Sequence, residues 1–469
     1  MWDGLFWIVG IIFIFSGVTQ LIKKYGKNAQ TWHVVSMLRF TKPLKIFDLF
    51  VNHPKLVNWL TDIGLVIGFG AIAVDYMWLR TQKMHVRMVG FVLTSALLGG
   101  LVGLVFPLDN PIIPMPALLV QAAFGVFGLA GLILVNLVYS ALDIITKLGV
   151  GKNACAGVAP VIPGVDLPNS PISVPLHAWL SFVIILVLHE ASHGFVVRKL
   201  GMKLKSYGLL LLGFLPIGAF VEPDDKEMAQ LEKKQPREAL RVYAAGAASN
   251  FYFFVIGGII FTLIGGLLLG PLIMPTLTDI RKDSSLGVSV KSVEDKIIIC
   301  GTEFETPAHN VLFEGDHITH VDGVPVITLS EYSKAVIGKD SYTLTGDHGG
   351  VISDDFFEPN DLGRIGIMVQ EIPNPDYTPP GWYDPVVTVI AFVTGFLGWL
   401  LLLNFLVATA NFLPIDPFDG GKMAKLMLLP YFGFLKMSET DTKKFIGRLF
   451  MTVILILIII NALPLIIVN

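Results

Sequence analysis

The chain has 469 residues, of which 53% are hydrophobic and 15% charged. A soluble protein carries nearer to about 25% charge, so the composition describes an integral membrane protein. The net charge of −3 excludes a nucleic-acid binder that depends on a basic surface.

A membrane-crossing helix needs about 20 apolar residues. Residues 4–22 meet this, with Asp3 ahead of them and no basic n-region or small-residue cleavage site, so they read as a retained helix rather than a removable signal peptide. Lys23, Lys24 and Lys27 follow as a cytoplasmic flank under the positive-inside rule. Residues 28–62 are mixed. Met37-Leu38, Leu44, Phe47, Leu49, Phe50 and Val51 suit an amphipathic segment along the surface, and a solvated connector equally. Residues 63–79, 88–106 and 117–142 are further crossings, with Pro107, Pro111, Pro114 and Pro116 breaking the chain between the last two. This N-terminal block has no cluster of His, Cys, Asp or Glu at ligand spacing and reads as scaffold or substrate gate.

A Pro- and Gly-rich loop at 149–175 leads to SFVIILVLHEASHG at 181–194. On a helix His189 and His193 share a face and can hold one zinc ion, while Glu190 stands beside it as a base. An ionisable cluster on an apolar helix is expensive and marks function. A catalytic zinc has three protein ligands, so a third must come from elsewhere. Arg198, Lys199, Lys203 and Lys205 place the end of this helix on the cytoplasmic side, yet counting crossings back from here puts Arg80, Lys83 and Arg87 outside, a conflict.

Residues 207–221, YGLLLLGFLPIGAFV, are short for a crossing and broken by Gly and Pro. A hairpin dipping into the protein fits, whose free edge can bind an extended peptide; a short helix is the competing reading. Residues 222–241 are charged and read as a solvated loop, with Asp224 and Asp225 not metal ligands. Residues 242–269 cross next, and Ala244 to Ala248 let another helix approach closely; Asn250 reads as a packing hydrogen bond.

From 270 to 384 the composition turns soluble. Residues 287–293 alternate as a strand, 297–299 form a short apolar run, and 329–337 suit a short helix. His317 to Val326 reads strand, Asp-Gly turn, strand. His309, His317, His320 and His348 have no zinc-site spacing, and 341–361 reads as a flexible acidic loop. Cys155 and Cys300 are too few for a disulfide framework; they can pair if both lie outside the membrane. Residues 386–410 cross again and deliver NFLPIDPFDGG at 411–421, where two carboxylates sit in a proline-broken apolar stretch that calls for a partner. A last crossing at 449–468 follows Lys443, Lys444 and Arg448.

His189-Glu190-x-x-His193 together with Asn411-x-x-Pro414-x-x-Pro417-x-Asp419-Gly420 resembles the site-2 protease family of intramembrane zinc metalloproteases. Gly218-Ala219-Phe220-Val221 resembles that family's membrane-dipping hairpin, Gly246 to Asn250 its middle core helix, and Gly315-Asp316-x-Ile318-x-x-Val321-Asp322-Gly323 the core of a PDZ domain. The resemblance covers roughly residues 178–427. It implies a polytopic α-helical membrane protein with a re-entrant β-hairpin and an inserted soluble PDZ-like (mixed α/β) domain. Its parts are an N-terminal membrane region (1–150), a catalytic core in two pieces (151–269 and 384–469), and the PDZ-like domain between them (270–383).

By the same resemblance His189, His193 and Asp419 hold Zn2+, Asp419 being preferred over Asp416 because Gly420 follows it, and Glu190 is the general base. Asn411, Gly218 and Phe220 contact substrate. The expected partners are a transmembrane protein or peptide substrate and membrane lipid, with no nucleic acid, and the expected place is the cell membrane with the site open to the cytoplasm. A zinc transporter is the alternative, because intramembrane His and Asp ligands also mark ion pathways.

Overall fold

The computed structural model describes residues 2–26, 29–42, 44–105, 116–159, 161–165, 174–300, 302–348, 350–360 and 363–467. Among these, seven helical segments are long and apolar enough to cross a membrane, and they carry three β-sheets. Pro107, Pro111, Pro114 and His348's side chain lie outside what is described.

The first helix, α1 (Trp2–Tyr25), is followed by a hairpin of β1 (Ala29–Trp32) and β2 (Val35–Phe40). This corrects the reading of 28–62 as a surface segment: its first part is sheet, because Val35 to Phe40 pair antiparallel with a distant strand, Leu212 to Tyr207. Long-range pairing of this kind leaves no local signal beyond a run of β-formers.

Next come α2 (Pro54–Val74), α3 (Met84–Val105) and α4 (Ala117–Gly149). Two of them are sharply kinked. Gly70 sits at φ 55°, ψ −139° and Gly128 at φ 58°, ψ −147°, a region that side chains avoid. The kinks meet: a Cβ on Gly70 would lie 2.7 Å from the Gly128 nitrogen, and one on Gly128 would lie 2.3 Å from the Ile67 oxygen. Beyond Gly70 the chain bends back. Asp62 pairs with Arg241 near the start of a later helix, and Gly68 abuts Phe412. Asp75, in the π-helical turn Asp75–Leu79, then reaches Arg87 and Tyr431. A straight helix would hold Asp62 and Asp75 about 20 Å apart and pointing to opposite ends.

The helix α5 (Ala178–Lys199) carries the His-Glu-His group. Then β3 (Leu204–Leu212) and β4 (Leu215–Pro223) complete a four-stranded sheet in the order β1-β2-β3-β4. The hairpin reading of 207–221 therefore prevails over the short helix. The charged stretch 222–241 is not a loop but α6 (Asp225–Lys234) and the first turns of α7 (Pro236–Ile264). Asp224 caps α6, accepting from the Lys226 and Glu227 amides, and those bonds hold its carboxyl below the usual range. Helical geometry continues from α7 into α8 (Met274–Asp283).

The soluble part is built on a six-stranded sheet. Its strands are β5 (Ser285–Val293), β8 (His317–Val321), β9 (Val324–Pro325), β10 (Tyr342–His348), β11 (Val351–Phe357) and β12 (Ile367–Pro373), in the order β11-β10-β8-β5-β12 with β9 on β8. β6 (Lys296–Ile299) and β7 (Thr302–Glu305) form a separate ribbon, and α9 (Leu329–Val336) packs on the sheet. Asp322 and Gly323 both have positive φ, the turn that a two-residue hairpin requires. Residues 342–357 form a hairpin, not the flexible loop that their acidity suggests: Tyr342, Leu344 and Phe357 are buried while the Asp residues face outward or pair. Cys155 and Cys300 are bonded to each other, which ties the loop after α4 to the β6–β7 ribbon.

The chain returns through α10 (Tyr383–Phe412), a short α11 (Asp419–Leu428) and α12 (Glu439–Ala462). Gly70→Ala is expected to lower thermal stability in detergent by the equivalent of about 1–3 kcal/mol, the cost of a residue held in a disfavoured backbone region. Gly100→Ala, where nothing lies within 4 Å, should melt like the parent protein.

Candidate metal centre

Helix α5 is largely apolar up to His189; α10 packs on that apolar first half, and α7 packs against the histidines. His189 Nε2 and His193 Nε2 lie 3.3 Å apart. Asp419 Oδ2 lies 3.3 Å from the first and 3.0 Å from the second. Tetrahedral zinc with bonds of about 2.0–2.1 Å imposes donor separations of about 3.3 Å. The three donors therefore stand at the spacing of a shared ion, and His189 and Asp419 are buried. The Glu190 carboxylate belongs to the same group, whose ligand atoms for His189, Glu190 and His193 lie within 4.8 Å of one another.

Each ring is oriented through its other nitrogen. His193 Nδ1 is 2.7 Å from the Val242 carbonyl, so it carries the proton and leaves Nε2 free for a metal. His189 Nδ1 is 3.0 Å from the Asn250 amide. That amide presents Nδ2 to the ring, with Oδ1 buried and unpartnered. Rotating it by half a turn gives His189 the acceptor that a metal-binding tautomer needs, and the two orientations share one shape. Gly246 supplies the space: a Cβ there would sit 2.4 Å from His189 Nε2 and 2.5 Å from His193 Nε2.

Asp419 is the first residue of α11. Gly420 and Gly421 let that helix start directly against the backbone of Phe412 to Asp416. Lys422 Nζ lies 3.5 Å from Asp419 Oδ1 and over the Tyr243 ring. Asp416 points elsewhere, with both oxygens 2.9 Å from Lys425 Nζ.

Glu190 Oε2 accepts the Val221 amide of β4 at 3.0 Å, which joins the edge strand to the His-Glu-His helix. Phe220 lies under the Arg39 guanidinium, and Gly218 faces Leu210 across the hairpin. Asn411 is in the last turn of α10, its amide donating to the Val407 carbonyl at 2.9 Å. In the soluble part His309 pairs with Asp295, and no second metal-binding group occurs among the described residues. Sequence reasoning missed the roles of Gly246, Val242, Asn250 and Val221. For Gly246 and Asn250 a signal existed, since a Gly and an Asn one turn apart on an apolar helix suit a polar group packed against it.

Metal content of the purified protein is expected to fall close to zero in Asp419→Ala and to stay near one equivalent in Asp416→Ala. Gly246→Ala should also lose metal, because the methyl displaces both imidazoles, while retaining the helical circular dichroism of the parent.

A model of peptidase family M50 matches residues 177–458. The chain is also similar to "Uncharacterized protein MJ0971" of Methanocaldococcus jannaschii, at 29% identity over 244 residues, covering 51% of this chain and 54% of that relative. The alignment thus spans about half of the curated relative's length. With the His-Glu-His group inside the matched region and the apolar helices around it, the chain belongs to peptidase family M50, the site-2 protease family of zinc metalloproteases.

Proposed function

We propose that the protein is an intramembrane protease that hydrolyses peptide bonds within or near the transmembrane segments of membrane-protein substrates, in the cell membrane and with the site open to the cytoplasm. The observation that carries this reading is the convergence of His189, His193 and Asp419 donors at 3.0–3.3 Å on elements that belong to membrane-crossing helices or follow one. On this reading those three residues hold zinc. When bound, zinc supplies a Lewis acid that polarises the scissile carbonyl and brings the pKa of water to about 7.

The chain's own groups do the rest. Glu190 Oε2 takes a proton from the attacking water and later gives it to the leaving amine. Its bond to the Val221 amide aims the carboxylate into the gap between α5 and β4. A substrate helix hides its amides in its own hydrogen bonds and must unwind before a carbonyl is accessible. β4 is the edge of its sheet, and Val221 turns its N–H away from β3; Ala219, two residues back, points the same way. An unwound segment can add to that edge as a further strand, held by main-chain bonds along Gly218 to Val221. On this reading Phe220 and Asn411 contact the substrate; the Val407 carbonyl takes one amide hydrogen of Asn411 and leaves its second N–H and its Oδ1 for that contact.

The sheet has the polarity that dipping into a bilayer requires. Its base is charged, with Glu222 between Lys205 at 2.7 Å and Arg39 at 3.5 Å, and its tip is apolar, with Phe214 against Phe15 of α1. The hydrogen bond from Lys205 holds the Glu222 carboxyl below the usual range, so the base stays charged. We read the sheet domain at 285–373 as PDZ-like, suited to extended chain termini. The zinc-transporter alternative finds no support in the family assignment.

Glu190→Gln is expected to keep its metal and to lose cleavage of a single-pass model substrate by a factor of about 10²–10⁴, the usual contribution of a general base. Undiminished turnover in that variant removes Glu190 from the mechanism.

A further inference from the structure

A cavity of about 470 Å³ opens between α11 and α12. Helix α12 begins at this cavity. Its other end, Asn461, accepts the Gly157 amide close to the disulfide, so the cavity and the disulfide lie at opposite ends of the membrane part. Thr440, Lys444, Gly447, Arg448 and Met451 recur at helical spacing and form the α12 wall. Lys422, Lys425 and Leu426 form the α11 wall, and Lys443 and Glu232 close one side.

The lining is strongly positive: five cations face two carboxylates, Asp416 and Glu232. Most of the cations are engaged. Lys425 is held by Asp416, Lys443 by Glu439 at 2.9 Å, and Lys422 by Asp419. Lys444 and Arg448 have no carboxylate partner among the described residues, and they sit one turn apart on the same face. These two adjacent cations are exposed beside a pocket already rich in Lys, so an anion can reach them, and a guanidinium fork favours phosphate oxygens.

Depth selects the kind of phosphate. The apolar run of α12 starts at Leu449, broken before Asn461 only by Thr452, which puts Lys444 and Arg448 at its polar end, where a bilayer carries its headgroups. Below them Met451 and Leu426 give the cavity an apolar floor. A free phosphate leaves that floor empty, whereas a lipid covers it with its glycerol and first methylenes. Basic pockets between membrane helices bind phosphate headgroups in this manner.

We propose that the cleft between α11 and α12 binds the phosphate headgroup of an anionic membrane lipid, with Lys444 and Arg448 as its principal contacts. The bound lipid bridges α12 to the helix that begins with Asp419. This site does not depend on the proteolytic reading.

The test uses the full-length protein in phosphatidylcholine nanodiscs doped with phosphatidylglycerol, with bound lipid read by native mass spectrometry. The parent protein retains phosphatidylglycerol. Lys444→Gln/Arg448→Gln binds it roughly 25-fold more weakly, at about fivefold for each cation lost near an anionic surface. Lys291→Gln/Lys334→Gln, which removes the same charge from the sheet domain, binds like the parent. Lys444→Gln alone, expected to lose about fivefold, serves if the double variant does not fold. Retention of phosphatidylglycerol by the cleft variants at the parental level overturns the proposal. In a second arm inorganic phosphate alone is titrated into the detergent-solubilised protein. Failure to saturate at millimolar concentration supports a lipid ligand, and tight binding that displaces phosphatidylglycerol overturns it in favour of a soluble phosphate.

Discussion

Three donor atoms from two segments 230 residues apart share one small volume in the membrane part of this protein, and the surrounding helices are arranged to make that meeting tolerable. Two imidazoles and a carboxylate away from water are costly unless each is paired and oriented. Val242 and Asn250 fix the rings from behind, Lys422 holds the outer oxygen of Asp419, and Gly246 gives up its side chain so that α7 can close over both histidines. The helix that looks most like plain packing, α7, is thus the one that determines the geometry of the site.

The N-terminal part bears on the same point from the other side. The kinked tip of α2 presses Gly68 and Phe69 against Phe412, which is fully buried and ends α10 just before the turn that presents Asp419. The β1–β2 hairpin widens the sheet whose free edge runs beside Glu190. Residues that carry none of the chemistry therefore support both the segment bearing the carboxylate and the strand bonded to Glu190.

Much of this was legible from residues alone, for physical reasons. Long apolar runs announce helices wherever they occur, His189 and His193 announce a shared helix face, and two aspartates in a proline-broken apolar stretch announce a missing partner. The Asp322-Gly323 turn was readable because its backbone requirement is local. What escaped was non-local or masked by charge. Val35 to Phe40 become strand only because Tyr207 to Leu212 lie beside them. The hairpin at 342–357 was hidden by Asp347, Asp354 and Asp355, although its inward positions alternate correctly. The bends at Gly70 and Gly128 were invisible because an apolar run reports length and not direction. Choosing Asp419 over Asp416 rested on the glycine that follows it; in the structure Gly420 and Gly421 allow the tight start of α11, and Asp416 is paired with Lys425.

The most direct test of the central claim is X-ray absorption spectroscopy at the zinc edge on the purified protein. The account predicts a four-coordinate ion with two imidazole nitrogens at about 2.0–2.1 Å and carboxylate oxygen in the same shell, the oxygen contribution changing in Asp419→Ala. A shell with sulfur, a six-oxygen environment, or an identical spectrum in Asp419→Ala contradicts it.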